Sequence, residues 1–145
     1  MTLEQAEALF VIGRLPGEDL PGLATGLLES GTDSPAMREL AGLSRPTLRD
    51  AGVVFERMIR ELDRTLPTKE DAAWLLAKSL ASSVLEGTIS YREAARRGAP
   101  LAVALDYAEL FMPFYRADDD YEMPFYEESD IDSWLKTYCE ALVRG

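Results

Sequence analysis

Residues 47–62 read TLRDAGVVFERMIREL, and their periodicity decides the fold class. Leu48, Ala51, Gly52, Phe55, Met58, Ile59 and Leu62 recur at three- and four-residue intervals and share one face of a helix. Arg49, Glu56, Arg57, Arg60 and Glu61 occupy the opposite face, where Glu56 and Arg60 are spaced to pair one turn apart. Such a helix is stable only when its apolar stripe is covered by other elements. The rest of the chain supplies them as further helices.

Helix punctuation extends in both directions from this stretch. On the N-terminal side, Thr2 and Gln5 have capping-box spacing ahead of Leu3, Ala6, Leu9 and Phe10, which predicts a helix to about Gly13. A second helix is expected from Glu18–Asp19 through Leu20, Leu23, Ala24, Leu27 and Leu28 to Ser30–Gly31, with Pro21 tolerated in its first turn. Ser34–Pro35 opens a short third helix ending at Gly42, and Ser44–Thr47 opens the fourth. On the C-terminal side, a fifth helix spans roughly Lys69–Glu86. Its face of Ala73, Ala77, Leu80, Ala81 and Val84 lets another helix approach closely. Ser90 and Glu93 start a short helix ending at Gly98. Pro100 opens a seventh, through Leu101, Leu105, Ala108 and Phe111. The last helix runs from near Asp130 to Val143, with Ile131, Trp134, Leu135, Tyr138 and Leu142 on its stripe.

No alternating β pattern or Asn-Gly or Asp-Gly hairpin turn competes. The chain of 145 residues, 47% hydrophobic and 28% charged, is long enough for one sizeable core. The expectation is an all-α, irregular single-domain bundle of seven or eight helices over residues 1–145, with helices 4 and 5 at its centre.

Composition narrows the chemistry. The single cysteine, Cys139, permits no intrachain disulfide and suits a reducing, cytoplasmic setting. It falls near the stripe of the last helix and reads as a buried thiol. Without histidine there is no Ser-His-Asp or Cys-His nucleophile system and no imidazole for zinc. Ser79, Ser82 and Ser83 read as packing residues. A net charge of −11 argues against binding nucleic-acid backbones or anionic lipid and allows a basic partner or simple solubility. No apolar run reaches membrane-spanning length, and the N-terminal MTLEQAEALFVIGRL reads as a helix and not as a signal peptide. Neither GxGxxG nor GxxxxGK occurs.

Charge is concentrated at one end. Residues 1–100 hold 15 acids and 12 bases, residues 101–145 hold 11 acids and 3 bases, and nine of the 13 aromatics lie between Tyr107 and Tyr138. The segment DYAELFMPFYRADDDYEMPFYEESDID, residues 106–132, contains two related stretches, Met112-Pro113-Phe114-Tyr115 and Met123-Pro124-Phe125-Tyr126, around Asp118-Asp119-Asp120. Aromatics can anchor an interface and acids can steer a basic partner to it. The alternative is that these aromatics plug the end of the core while the acids are simply solvated; on the binding reading, the partner-binding set is Phe114, Tyr115, Tyr121, Phe125 and Tyr126 as anchors, with Asp118, Asp119 and Asp120 as steering charges.

Other sites are weaker in sequence. Asp118, Asp120 and Glu122 are calcium-type ligands on an expected loop, yet an EF-hand starting at Asp118 would place Met123 at its glycine and Ser129 at its glutamate. Asp106 and Glu109, three apart on an expected helix, are the best-placed carboxylate pair. Arg92, Arg96 and Arg97 form a basic cluster that reads more simply as pairing with neighbouring acids. No catalytic residue, cofactor site or metal site is assigned.

The phrases LPGLATGLLESGTDSPAMRELAGLS and EGTISYREAARRG, followed by an acidic terminal helix, resemble a loose group of small acidic helical bacterial proteins with no assigned activity. The resemblance implies a bacterial cytoplasmic helical domain and transfers no catalytic residues; immunity proteins against toxins are analogous in size and charge. The leading expectation is a non-enzymatic protein-binding module, an inhibitor or immunity protein for a basic partner. A self-associating structural protein, homodimeric through the aromatic segment, is second. A carboxylate- or metal-dependent enzyme is third.

Overall fold

The computed structural model describes the whole chain, Met1–Gly145, as eight α-helices with two single-turn 3₁₀ segments and no strand. The all-α reading holds. The chain divides into two compact units, Met1–Thr68 and Lys69–Gly145. Helices 4 and 5, expected together at one centre, belong to different units.

The first unit contains α1 (Leu3–Ile12), α2 (Leu20–Glu29), α3 (Pro35–Ala41) and α4 (Leu48–Glu61). Local caps set these boundaries. The Thr2–Gln5 capping box is complete, Ser34 accepts from the Met37 N–H, and Thr47 accepts from the Asp50 N–H. α4 turns Ala51, Phe55, Met58 and Ile59 into a core with Leu20 and Ala24 of α2 and Met37 and Leu40 of α3. Phe10 of α1 meets Phe55 with ring centroids 5.2 Å apart. Gly17 lets the chain before α2 touch the start of α4, since a Cβ there would fall 2.7 Å from the Thr47 carbonyl oxygen.

Polar groups complete this unit. The Glu61 carboxylate accepts from the Ala36 N–H at 2.8 Å, satisfying an amide at the start of α3 that no helical carbonyl can reach. The ion pair on the outer face of α4 joins Arg57 to Glu39 of α3, in place of the expected Glu56–Arg60 pair. Arg64, just beyond α4, grips buried Glu7 of α1 through two hydrogen bonds of 2.6 and 3.1 Å.

The second unit contains α5 (Lys69–Leu85), α6 (Tyr91–Ala104), α7 (Met112–Tyr121) and α8 (Glu128–Arg144). α5 packs on α6 and α8, and α7 packs on α6 and α8. Small buried side chains permit this spacing: Ala72, Ala73, Ala77 and Ala81 on α5, and Ala94, Ala95 and Ala102 on α6.

Two expected boundaries move. The break at Gly98–Pro100 does not occur, and α6 runs from Tyr91 to Ala104 with Pro100 inside it. Gly98 is instead a contact point with α7, and continued burial of Leu101 and Ala102 offsets the hydrogen bond that proline removes. Residues 112–121, expected to be loop, form α7 with Pro113 in its first turn.

Candidate functional site

The 106–132 segment does not present one continuous surface, because most of it is α7. Its apolar side is core. Phe114 is fully buried and meets the Tyr138 ring edge-on at 5.1 Å, and Tyr121 is 8% exposed. Phe114 and Tyr121 are therefore corrected from partner anchors to packing residues, since a helix must bury its apolar stripe before it can offer anything outward. Tyr115 is half-buried and its ring meets Tyr107 edge-on at 5.5 Å.

The three aspartates ride on the last turns of α7. Asp119 is exposed, while Asp118 and Asp120 are half-buried. Partial burial, then the neighbouring charges of Asp119 and Glu122, push the Asp118 carboxyl above its ordinary pKa, partly offset by Arg96 and Arg92. The helix also undoes the calcium set. Asp118 and Asp120 stand two apart on α7 and point to different sides, with Glu122 beyond its end. No group of three or more histidine, cysteine, aspartate or glutamate side chains is gathered in a metal-binding arrangement.

Beyond α7 the second aromatic stretch emerges as a turn, and here the outward surface lies. Phe125 is 73% exposed, Tyr126 50% and Met123 43%. The two rings lie 4.9 Å apart, tilted against each other. The base of the turn is bridged by exposed ion pairs and by one part-buried hydrogen bond. Arg92 of α6 reaches Glu122 on one side at 2.8 Å and Glu128 on the other at 3.1 Å, bridging the end of α7 and the start of α8. Its guanidinium also lies 5.7 Å from the Tyr121 ring centroid. The Tyr121 hydroxyl donates to Asp132 of α8, and burial followed by this bond raises the tyrosine's pKa.

This arrangement accounts for the basic cluster. Arg96 and Arg97 both pair with Glu93, one and the same carboxylate, at 2.5 and 2.8 Å. Those two hydrogen bonds hold Glu93 down at about 2. Arg92, Arg96 and Arg97 are thus engaged with acids and do not form an open anion site.

The remaining candidates separate. Asp106 lies in a left-handed turn after α6 and Glu109 in the following 3₁₀ turn, so the expected helical carboxylate pair does not form. Glu109 instead faces Arg116 at 3.4 Å. Cys139 is fully buried, which pushes its thiol up to about 11 and leaves it unreactive at neutral pH. No helix is long and apolar enough to cross a membrane. No protein-family model, curated protein or solved structure matches this chain.

Sequence reasoning located the segment and missed its internal division. The signal for α7 was present: proline at the second position, then Phe114, Ala117 and Tyr121 at helical spacing. The Arg92 bridge carries no local signal, since its partners lie 30 and 36 residues away.

Proposed function

We propose that this protein is a non-enzymatic binding module whose clamped turn, Glu122–Glu128, docks on a basic protein partner. The observation that carries the reading is the exposed Phe125–Tyr126 pair on a base fixed by Arg92 and Tyr121. Rigid aromatics offer large contact area at low entropic cost, and a pre-organised base lowers the cost of docking further. Exposed Asp119, Glu127 and Asp130 lie near the turn, in a C-terminal third of net −8, and favour encounter with a positive surface.

Of the expected anchors, Phe125 and Tyr126 remain; the exposed Met123 joins them, and Asp118, Asp119 and Asp120 act on association rate. An inhibitor or immunity protein covering the cationic site of a bacterial toxin is the finer form of this reading. It rests on charge, size and the resemblance to small acidic bacterial helical proteins, and the lone buried thiol agrees with a cytoplasmic setting.

Self-association through the same turn is the second reading, favoured by the apolar character of Phe125 and Tyr126. A symmetric contact would bring like-charged acidic surfaces together, which places it behind a basic partner. The test is photo-crosslinking in the source cells with p-benzoylphenylalanine in place of Phe125. The reading predicts a covalent adduct with a basic protein. An adduct only with a second copy supports the homodimer, and no adduct above that of an exposed control position such as Arg49 contradicts both.

A further inference from the structure

At the opposite end of α7 lies a second feature, a cleft of about 320 Å³ within the second unit. Trp74 of α5 and Leu105, Leu110 and Phe111 from the α6–α7 connection form its apolar walls, and Glu70 and Asp71 stand on its rim. Phe111 is only 4% exposed and makes the floor, while Leu110 is 48% exposed and available to an incoming group. We infer that this cleft takes an arginine side chain from a protein partner.

The chemistry of the lining selects that occupant. A purely aliphatic side chain would bring apolar surface against the Glu70 carboxylate, whereas an arginine lays its methylenes on Leu110 and Phe111 and carries its charge to the rim. A guanidinium is planar, stacks on an indole and offers paired N–H groups to a carboxylate, so it uses Trp74 and Glu70 together where lysine's compact ammonium cannot. The wall is held in place before any ligand arrives. The Tyr138 hydroxyl donates to the Leu110 carbonyl at 2.7 Å, and two consecutive left-handed residues, Asp106 and Tyr107, direct the chain into it.

The ten residues of α7 separate the cleft from the clamped turn by about 15 Å of helix, so this inference stands apart from the proposed docking turn. A partner that used both would be read at two points, one by aromatic contact and one by an inserted arginine.

Titration of the full-length, ¹⁵N-labelled protein with N-acetyl-L-argininamide tests it, with N-acetyl-L-norleucinamide as a probe carrying an apolar stem alone. The expected result is saturable shifts at the Trp74 indole N–H and the Glu70 and Leu110 amides, much weaker with the norleucine probe. Glu70→Gln and Leu110→Ala, both at exposed positions, each weaken the response several-fold. Phe125→Ser leaves it intact, so the cleft and the turn fail separately. Linear shifts without saturation, an equal response to both probes, or an undiminished response in Glu70→Gln would overturn the inference.

Discussion

Gly98 of α6 lies directly beneath the ring of Phe114 of α7: a Cβ at position 98 would sit 2.5 Å from Phe114 Cδ2 and 2.9 Å from its Cβ. Both residues are buried, so neither can move aside cheaply. Gly98→Ala is expected to destabilise the protein by about 1–3 kcal/mol, the usual range for overpacking a tight core. Pairing it with Phe114→Leu should recover part of that loss relative to the sum of the single variants. Chemical denaturation of the four proteins in the cycle gives the coupling, and strict additivity would contradict the contact.

This contact also explains what sequence could and could not show. Thr2, Ser34 and Ser90 cap the helices they were expected to cap, and Thr47, the last residue of the expected Ser44–Thr47 start, caps the fourth, because a cap is decided within three residues. Gly98 and Pro100 carry the same residue types as a helix end, yet here a partner 16 residues away decides their meaning. The acidic run at Asp118–Asp120 resembled loop for a similar reason: its helix is specified by the buried side, Phe114, Ala117 and Tyr121. Exposure of Phe125, against burial of Phe114 in an identical tetrapeptide, was invisible until α7 had absorbed the first copy.

Arg64 and Glu7 form a bidentate pair in which the Glu7 side chain is 4% exposed and the Arg64 side chain 36%. Loss of the arginine would leave a carboxylate buried without its counter-charge, whereas Glu7→Gln retains a neutral acceptor. Partial exposure of Arg64 lets water replace some of the interaction. Arg64→Met is therefore expected to cost about 2 kcal/mol and Glu7→Gln less, measured by urea unfolding at pH 7. Equal or negligible losses would show that the pair contributes no buried charge compensation.

The turn after α6 holds two non-glycine residues in left-handed geometry, Asp106 at φ 53° and Tyr107 at φ 60°. L-residues adopt this region at a cost of roughly 1–2 kcal/mol, less for aspartate. Asp106→Gly relieves this strain but also frees the unfolded chain, so its net gain should be small, at most about 0.5 kcal/mol. Tyr107→Gly should gain less, because it also removes the ring contact with Tyr115. Thermal unfolding of both variants checks the order, and a lower melting temperature for Asp106→Gly would contradict it.

Asp118 carries a pKa above its ordinary value in the folded protein, with burial the first cause and adjacent acids the second. A raised folded pKa means that the folded state binds its proton more tightly than the unfolded state does. The contribution to stability is therefore present in full below the ordinary value of 3.8 and is lost as pH rises through the higher folded pKa. Asp118→Asn should raise the melting temperature at pH 7 and leave it unchanged near pH 3. A uniform shift at both pH values would assign the effect to packing and not to charge.

Affinity capture from lysate of the source organism shows whether the clamped turn binds a basic protein. Wild-type protein, the Phe125→Ser/Tyr126→Ser variant and the Asp118→Asn/Asp119→Asn/Asp120→Asn variant serve as baits, read by mass spectrometry at low salt. One basic protein should be retained by the wild type, lost with the aromatic variant and reduced with the aspartate variant. Equal recovery by all three baits, or no protein above the bead background for any of them, would contradict it.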